Sequence, residues 1–136
     1  MENCIFCKIV AKEIPAEIVF ENDNWLAFLD IKPVNLGHTL LIPKAHHKNL
    51  FDLPENSLTE VGPLLQKIGQ AVKEGTSADG LNLAMNNEAA AGQLVWHTHF
   101  HLMPRFASDG FEHWHGQENL PKEAFSETAL KIKKLI

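Results

Sequence analysis

The segment HTHFHLMPR, His97 to Arg105, alternates imidazoles with apolar or β-branched residues. A period of two belongs to a β-strand, where residues i, i+2 and i+4 share a face about 6.5–7 Å apart. A strand is therefore predicted over Trp96–Met103, stopped by Pro104, with His97, His99 and His101 on one side and Thr98, Phe100 and Leu102 on the other. A single histidine is ordinary in a core. Three in register carry ring nitrogens that each need a partner when buried, which is a poor way to fill a core and a good way to do chemistry.

Two chemistries use such a row. A pair of strand histidines with further side chains suits a catalytic metal that keeps one position open for water. Alternatively one imidazole is a nucleophile, since the neutral ring is abundant at physiological pH and is aimed by a hydrogen bond to its other nitrogen. The loop AAAGQLV just before the strand tilts the choice towards phosphoryl chemistry. Small residues let backbone N–H groups approach an anion, and the amide of Gln93 is a donor, whereas Glu88 is the only carboxylate nearby for a metal.

The rest of the chain places that strand in an α+β fold. Ile18–Glu21 and Trp25–Leu29 flank the turn residues NDN, and Thr39–Ile42 follows the loop KPVNLGH and ends before Pro43. A helix is predicted from about Ser57 to Glu74, with Ser57 and Glu60 as a capping box and Gly75 as its stop. Leu58, Val61, Leu64, Leu65, Ile68, Ala71 and Val72 recur at helical spacing, and Pro63 inside that run marks a kink or a later start. Leu81–Asn86 reads as a further strand. The tail reads as a helix capped at Asn119, with Pro121 in its first turn and Phe125, Ala129, Ile132 and Ile136 on one face; Lys131, Lys133 and Lys134 sit at the end favoured by the helix dipole. Hairpin-length connections make the sheet antiparallel, about five strands with two main helices.

With 136 residues, the chain is long enough for a single domain with one core. A net charge of −5 gives no basic footprint for nucleic acid, though a small nucleotide needs only a local anion site. No stretch approaches the ~20 apolar residues of a membrane span, and the acidic N-terminus lacks the basic region of a signal peptide, so the expectation is a cytoplasmic protein. Cys4 and Cys7 have C-x-x-C spacing. They read as inert thiols, as a redox pair, or as half of a Cys₂His₂ zinc site completed from His46, His47 and His97; no βαβ pattern supports the redox reading.

AGQLVWHTHFHLMPR resembles the active-site segment of the histidine triad family of nucleotide hydrolases and transferases. CIFCKIVAKEIPAEIVFENDNWLAFLDIKPVNLGHTLLIPKAHH is similar to that family's N-terminal half, and LNLAMNN to the strand before its loop. The likeness covers roughly three quarters of the chain: 1–106 is family-like and 107–136 is an extension.

The resemblance implies a histidine triad fold that dimerises sheet to sheet, acting on nucleotides with a purine base. His99 would attack the α-phosphorus and form a nucleotidyl-histidine, which water hydrolyses or another acceptor captures. His101 would contact the phosphate, and Gln93 the bridging or leaving atom. Asp30 would hold the ribose hydroxyls, Asn86 would lie on the phosphate side with Gly92 and Val95, and Ile5, Phe6, Ile9, Phe28 and Ile31 would wall the base pocket. The zinc ligands would be Cys4, Cys7, His46 and His97, a closed structural site.

Two features depart from the pattern. Leu94 stands where the phosphoramidase branch has Ser or Thr, and leucine donates no hydrogen bond to a leaving atom. Thr98 is more polar than the usual spacer. In FEHWHGQEN, His113 and His115 read as solvated loop residues, and Trp114 as a packing residue or an anchor for a partner subunit. A nucleotide-sensing or partner-binding protein with weak turnover is the alternative from another class.

Overall fold

A computed structural model describes residues 3–136. The chain runs α1 (Ile5–Val10), β1 (Ile18–Glu21), β2 (Trp25–Leu29), β3 (Thr39–Pro43), α2 (Glu55–Gly75), β4 (Gly80–Ala84), β5 (Phe100–Arg105) and α3 (Lys122–Lys133), with short 3₁₀ turns at Leu50–Asp52 and Ala89–Ala91. The sheet has five strands in the order β1-β2-β3-β5-β4, and every neighbouring pair is antiparallel. This is the expected α+β architecture. The β1–β2 hairpin closes as its turn residues dictate: the Asn22 side-chain oxygen accepts from the N–H groups of Asn24 and Trp25 at 3.0 and 2.7 Å.

Strand alternation divides the core in two. Trp25, Ala27, Leu41, Phe100 and Leu102 face α2, packing on Val61 and Ile68. Leu26, Phe28, Leu40 and Ile42 face α1, packing on Phe6 and Ile9. At Gly69 the long helix approaches the sheet closely, for a Cβ there would lie 2.9 Å from Leu81 Cδ2.

Four local expectations are corrected. First, α2 begins at Glu55 after Pro54, and no capping box forms. The carboxylate of Glu60 instead accepts from the indole N–H of Trp25 at 2.9 Å and from Asn24 at 3.1 Å. Trp25 is 0% exposed, so its N–H has to find a partner inside, and that demand outweighs a surface cap. The helix runs through Pro63 without ending.

Second, β5 covers Phe100–Arg105, displaced towards the C-terminus from the predicted Trp96–Met103. Residues 97–99 follow the 46–48 segment instead of a ladder, Thr98 N–H and Oγ1 both donating to His47 O at 2.7 and 3.0 Å. Pro104 does not stop the strand, because pairing with β3 ends at Leu102 and the proline lies where β5 has only β4 beside it. Third, β4 ends at Ala84 rather than Asn86, as the chain turns out into the loop. Fourth, α3 starts at Lys122 after Pro121; Asn119 does not cap it and sits at φ 62. No residue of α3 is buried.

The segment after β5 is tied down by Asp109. Its carboxylate receives the Arg105 guanidinium at 2.8 and 2.7 Å, the Asn35 amide at 2.7 Å and the N–H of Phe106 at 3.0 Å. Those donors, Arg105 first, hold its pKa well below the usual carboxylate range. No helix of the described residues is long and apolar enough to cross a membrane.

Candidate active site

The three triad histidines do lie together on the α1 side, but only His101 belongs to a strand. Their ring centroids step 5.0 Å from His99 to His101, and His99 stands edge-on to Phe6 at 5.2 Å. Burial lowers the pKa of His99, and burial followed by the neighbouring His99 and His38 pushes His101 down to about 4. Both rings are therefore neutral at physiological pH, and each carries one proton whose position its partners decide.

Those partners are explicit. Nδ1–H of His99 donates to the carbonyl two residues back, His97 O, at 2.7 Å, which leaves the lone pair on Nε2. Val34 N–H donates to His38 Nδ1 at 3.1 Å, so the proton of neutral His38 is on Nε2, and that N–H donates to His101 Nδ1 at 2.8 Å. His101 therefore carries its proton on Nε2. The site presents one imidazole with a bare Nε2 and the adjacent one with an Nε2–H. His38, 4% exposed, joins this hydrogen-bond chain and was passed over by the sequence reading. Its only signal there was position, next to the predicted strand Thr39–Ile42.

Asp30 lies 3.9 Å from His38 Nε2, and its other oxygen accepts from Lys32 N–H at 2.8 Å. Asp30, His38 and His101 have the proximity of a metal cluster. Their arrangement is nevertheless a hydrogen-bond chain, because the facing nitrogen of His38 carries a proton rather than a lone pair.

The loop before the triad is built differently from the expected anion nest. The N–H groups of Ala91, Gly92 and Gln93 turn inward onto the carbonyls of Glu88 and Ala89. Gln93 is 3% exposed, and its amide serves the loop. It donates to Lys48 O at 2.6 Å and Val95 O at 3.0 Å and accepts from Glu88 N–H at 2.9 Å, so neither of its protons is directed at a leaving atom. Glu88 is the loop's anchor, held at φ 72 with its carboxylate accepting from Asn49 at 2.9 Å. Gly92 takes the left-handed conformation at φ 85 and offers its carbonyl to Asn86 Nδ2 at 3.3 Å.

Among the expected base-pocket walls, Phe6, Ile9 and Phe28 are core, packed together beneath the site. Ile5 and Ile31 are the exposed ones, Ile31 at 87%, and Val95 packs against the same cluster from the loop.

Beside the triad, Cys4, Cys7, His46 and His97 bring their ligand atoms within 4.8 Å of one another. His97 Nδ1 lies 3.5 Å from Cys4 Sγ and 3.6 Å from Cys7 Sγ, and His46 Nδ1 lies 3.2 Å from Cys7 Sγ. A tetrahedral zinc with ordinary bond lengths separates its N and S ligands by about 3.5 Å. The tautomer also fits: His97 Nε2–H donates to Pro43 O at 2.8 Å and turns a bare Nδ1 to the cysteines. His46 is thus the ligand candidate of the adjacent pair, since His47 turns to Asp52 at 3.8 Å.

Comparison with known proteins agrees with this geometry. A family model described as HIT domain matches residues 11–108. An uncharacterized HIT-like protein of Borreliella burgdorferi is 44% identical over 97% of this chain and 97% of its own. The adenosine 5'-monophosphoramidase of Saccharomyces cerevisiae is 43% identical over 75% of this chain and 62% of its own. An adenylylsulfatase of Arabidopsis thaliana is 39% identical over 79% and 54%. Among solved structures, a HIT family member from Bacillus subtilis superposes with a TM-score of 0.90 at 38% identity, covering 98% of this chain and 97% of the other. A zinc-bound histidine triad protein of Mycobacterium smegmatis gives 0.77 at 35% identity, covering 96% and 98%.

Proposed function

The chain belongs to the HIT domain family, and we propose that it hydrolyses or transfers nucleotides through His99. The substrate class is a nucleoside monophosphate conjugate, such as an adenosine phosphoramidate or a dinucleoside polyphosphate. An adenosine 5'-monophosphoramidase and an adenylylsulfatase among the relatives support that class. The observation that carries the reading is the proton placement: His99 has a bare Nε2 and His101 a protonated one, 5.0 Å apart between ring centroids.

In the proposed step, His99 Nε2 attacks the α-phosphorus and the bond from phosphorus to the leaving group breaks. The leaving group keeps the electron pair and takes a proton from solvent, while the Nε2–H of neutral His101 donates a hydrogen bond to a phosphoryl oxygen and steadies its charge. Water then attacks the nucleotidyl-histidine and gives its proton to solvent, the bond from phosphorus to His99 Nε2 breaks and His99 is released, so each displacement is easier than one concerted hydrolysis. Asp30 holds the ribose hydroxyls, Ile5 and Ile31 flank a purine, and Asn86 with the Val95 N–H meets the phosphate at the edge of the Gly92 turn. Gln93 acts by fixing the loop that carries those groups.

We assign zinc to Cys4, Cys7, His46 and His97; a zinc-bound relative supports the choice of ion. When bound it supplies a cross-link between the N-terminus, the 46–48 segment and His97. An edge strand on each side of the sheet, β1 and β4, also leaves room for the sheet of a second copy to join.

Rapid acid or base quench of a turnover reaction with radiolabelled adenosine phosphoramidate tests the reading. A base-stable, acid-labile label on wild-type protein, absent from folded His99→Ala, is expected. Turnover that survives in His99→Ala sinks the assignment, and tight nucleotide binding without turnover in the wild type favours the sensing alternative.

A further inference from the structure

The two faces of the sheet are covered unequally. On the side away from the triad α2 packs mainly over β3, β5 and β4, and the edge strand β1 extends past it. Regular alternation would turn only one of Val19 and Phe20 to that side. The register of β1 against β2 shifts between Ile18 and Phe20, however, and such an irregularity re-aims side chains. Val19 and Phe20 both line a cavity of about 330 Å³ between β1 and α2.

Leu29 and Thr39 continue that wall from β2 and β3, and α2 supplies the other with Ile68, Ala71, Val72 and Gly75, at helical spacing. The space persists because two of those helix positions are small. A Cβ at Gly75 would meet nothing within 4 Å. Gly37, at φ 98, closes one end, where a Cβ would collide with Thr76 Cγ2.

The cavity's hydroxyls are already spent: Thr39 Oγ1 donates to Gly37 O at 2.9 Å and Thr76 Oγ1 to Val72 O at 2.7 Å. Lys67 is the exception. Its ammonium lies 5.3 Å from the centre of the Phe20 ring and pairs with no carboxylate among the described residues. Its helical neighbours Pro63, Leu64, Gln70 and Ala71 are uncharged, and no acidic residue lines the cavity. These walls complement an apolar body with a single anionic end. One flexible ammonium suits a monoanion, whereas a phosphate group draws on several donors together.

We propose that this cavity binds a medium-chain carboxylate, with the acyl chain between β1 and α2 and the carboxylate on Lys67. At about 30 Å³ for each water-sized group, the volume holds roughly ten methylene-sized groups, which sets the length at about eight to ten carbons. The site lies on the opposite face of the sheet from His99, and neither its chemistry nor its test involves that residue.

Titration calorimetry of the full chain with butanoate, hexanoate, octanoate, decanoate and tetradecanoate, all below their micellar concentrations, tests the proposal. The association constant is expected to rise about threefold to fourfold per methylene, the scale of one buried CH₂, and to level off near decanoate. Octanoate binds more tightly than octanol in the wild type; Lys67→Gln brings the two together, and Lys67→Glu prefers octylamine to octanoate. Ala71→Phe, at an exposed helix position, fills the cavity and weakens octanoate tenfold or more with the circular dichroism of wild type retained. Octanoate shifts the methyl resonances of Val19, Leu29, Ile68 and Val72, not those of Ile5 and Leu94. No measurable binding of octanoate, affinity that keeps climbing through tetradecanoate, or indifference to the charge at position 67 overturns the proposal. So does unaltered binding to Ala71→Phe. A wild type that self-associates without ligand and is made monomeric by Ala71→Phe also overturns it, in favour of a second copy on this face.

Discussion

Replacing His38 by leucine probes the proton chain most directly. The substitution keeps a buried apolar volume but deletes two hydrogen bonds, from Val34 N–H at 3.1 Å and to His101 Nδ1 at 2.8 Å. At roughly 1 kcal/mol net for each bond, the loss is about 2 kcal/mol. For a chain of this size, that corresponds to a melting temperature lowered by roughly 4–8 °C. The catalytic effect is separate. Without the His38 donor, nothing fixes the His101 proton on Nε2, and about tenfold is expected to be lost from kcat, near 1.4 kcal/mol. KM stays within a factor of about two, because ground-state binding does not depend on that proton. Nitrogen-15 NMR of labelled imidazoles reads the tautomer: Nε2–H for His101 in the wild type, a mixture in His38→Leu. Glutamine at position 38 offers both an acceptor and a donor, so His38→Gln restores part of kcat. An unchanged Nε2–H tautomer together with an unchanged kcat in His38→Leu would refute the chain.

Other expectations follow from the same geometry. Protein purified in zinc-containing medium carries about one zinc per chain by elemental analysis, and Cys7→Ser loses it together with several degrees of thermal stability; metal-free wild type with the same melting point would contradict a cross-linking role. Stability depends on pH through His101, whose pKa falls from 6.5 to about 4 mainly through burial. Because folding favours its neutral form, that contribution is complete above pH 6.5 and lost as pH drops towards 4. It amounts to roughly 2 kcal/mol after allowance for partial solvent access, to be read from urea midpoints across that window. A flat profile there would mean that the ring is charged in the folded state. Glu60→Ala orphans the indole N–H of Trp25 and should cost about 2 kcal/mol in chemical denaturation, with kcat/KM unchanged because α2 packs on the opposite face from the triad.

Much of the frame was legible because it is local. The turn residues NDN placed β1 and β2 to the residue, and helical spacing found α2 to within two residues at its start. The triad, the cysteine pair and the family likeness were equally plain in the string of residues. The errors share one cause. Ser57 and Glu60 look like a cap until Trp25 from another element brings its N–H to Glu60. His97 and His99 look like strand residues until Thr98 is found on His47. In each case a long-range polar partner outbid the local pattern, and buried polar groups leave no freedom to refuse it.

The sequence by itself determined which residue types share a face, which pairs can hold a metal, and which family the chain resembles. Period and spacing act over a few residues and are indifferent to the rest of the chain. Tertiary structure alone decided which nitrogen of each histidine carries the proton, how closely His97 approaches the cysteines, and that a cavity opens between β1 and α2. Those decisions rest on contacts spanning 63 residues between His38 and His101, 54 between His97 and Pro43, and 90 between Cys7 and His97. An imidazole has two interchangeable nitrogens, and only the neighbours that folding supplies can distinguish them.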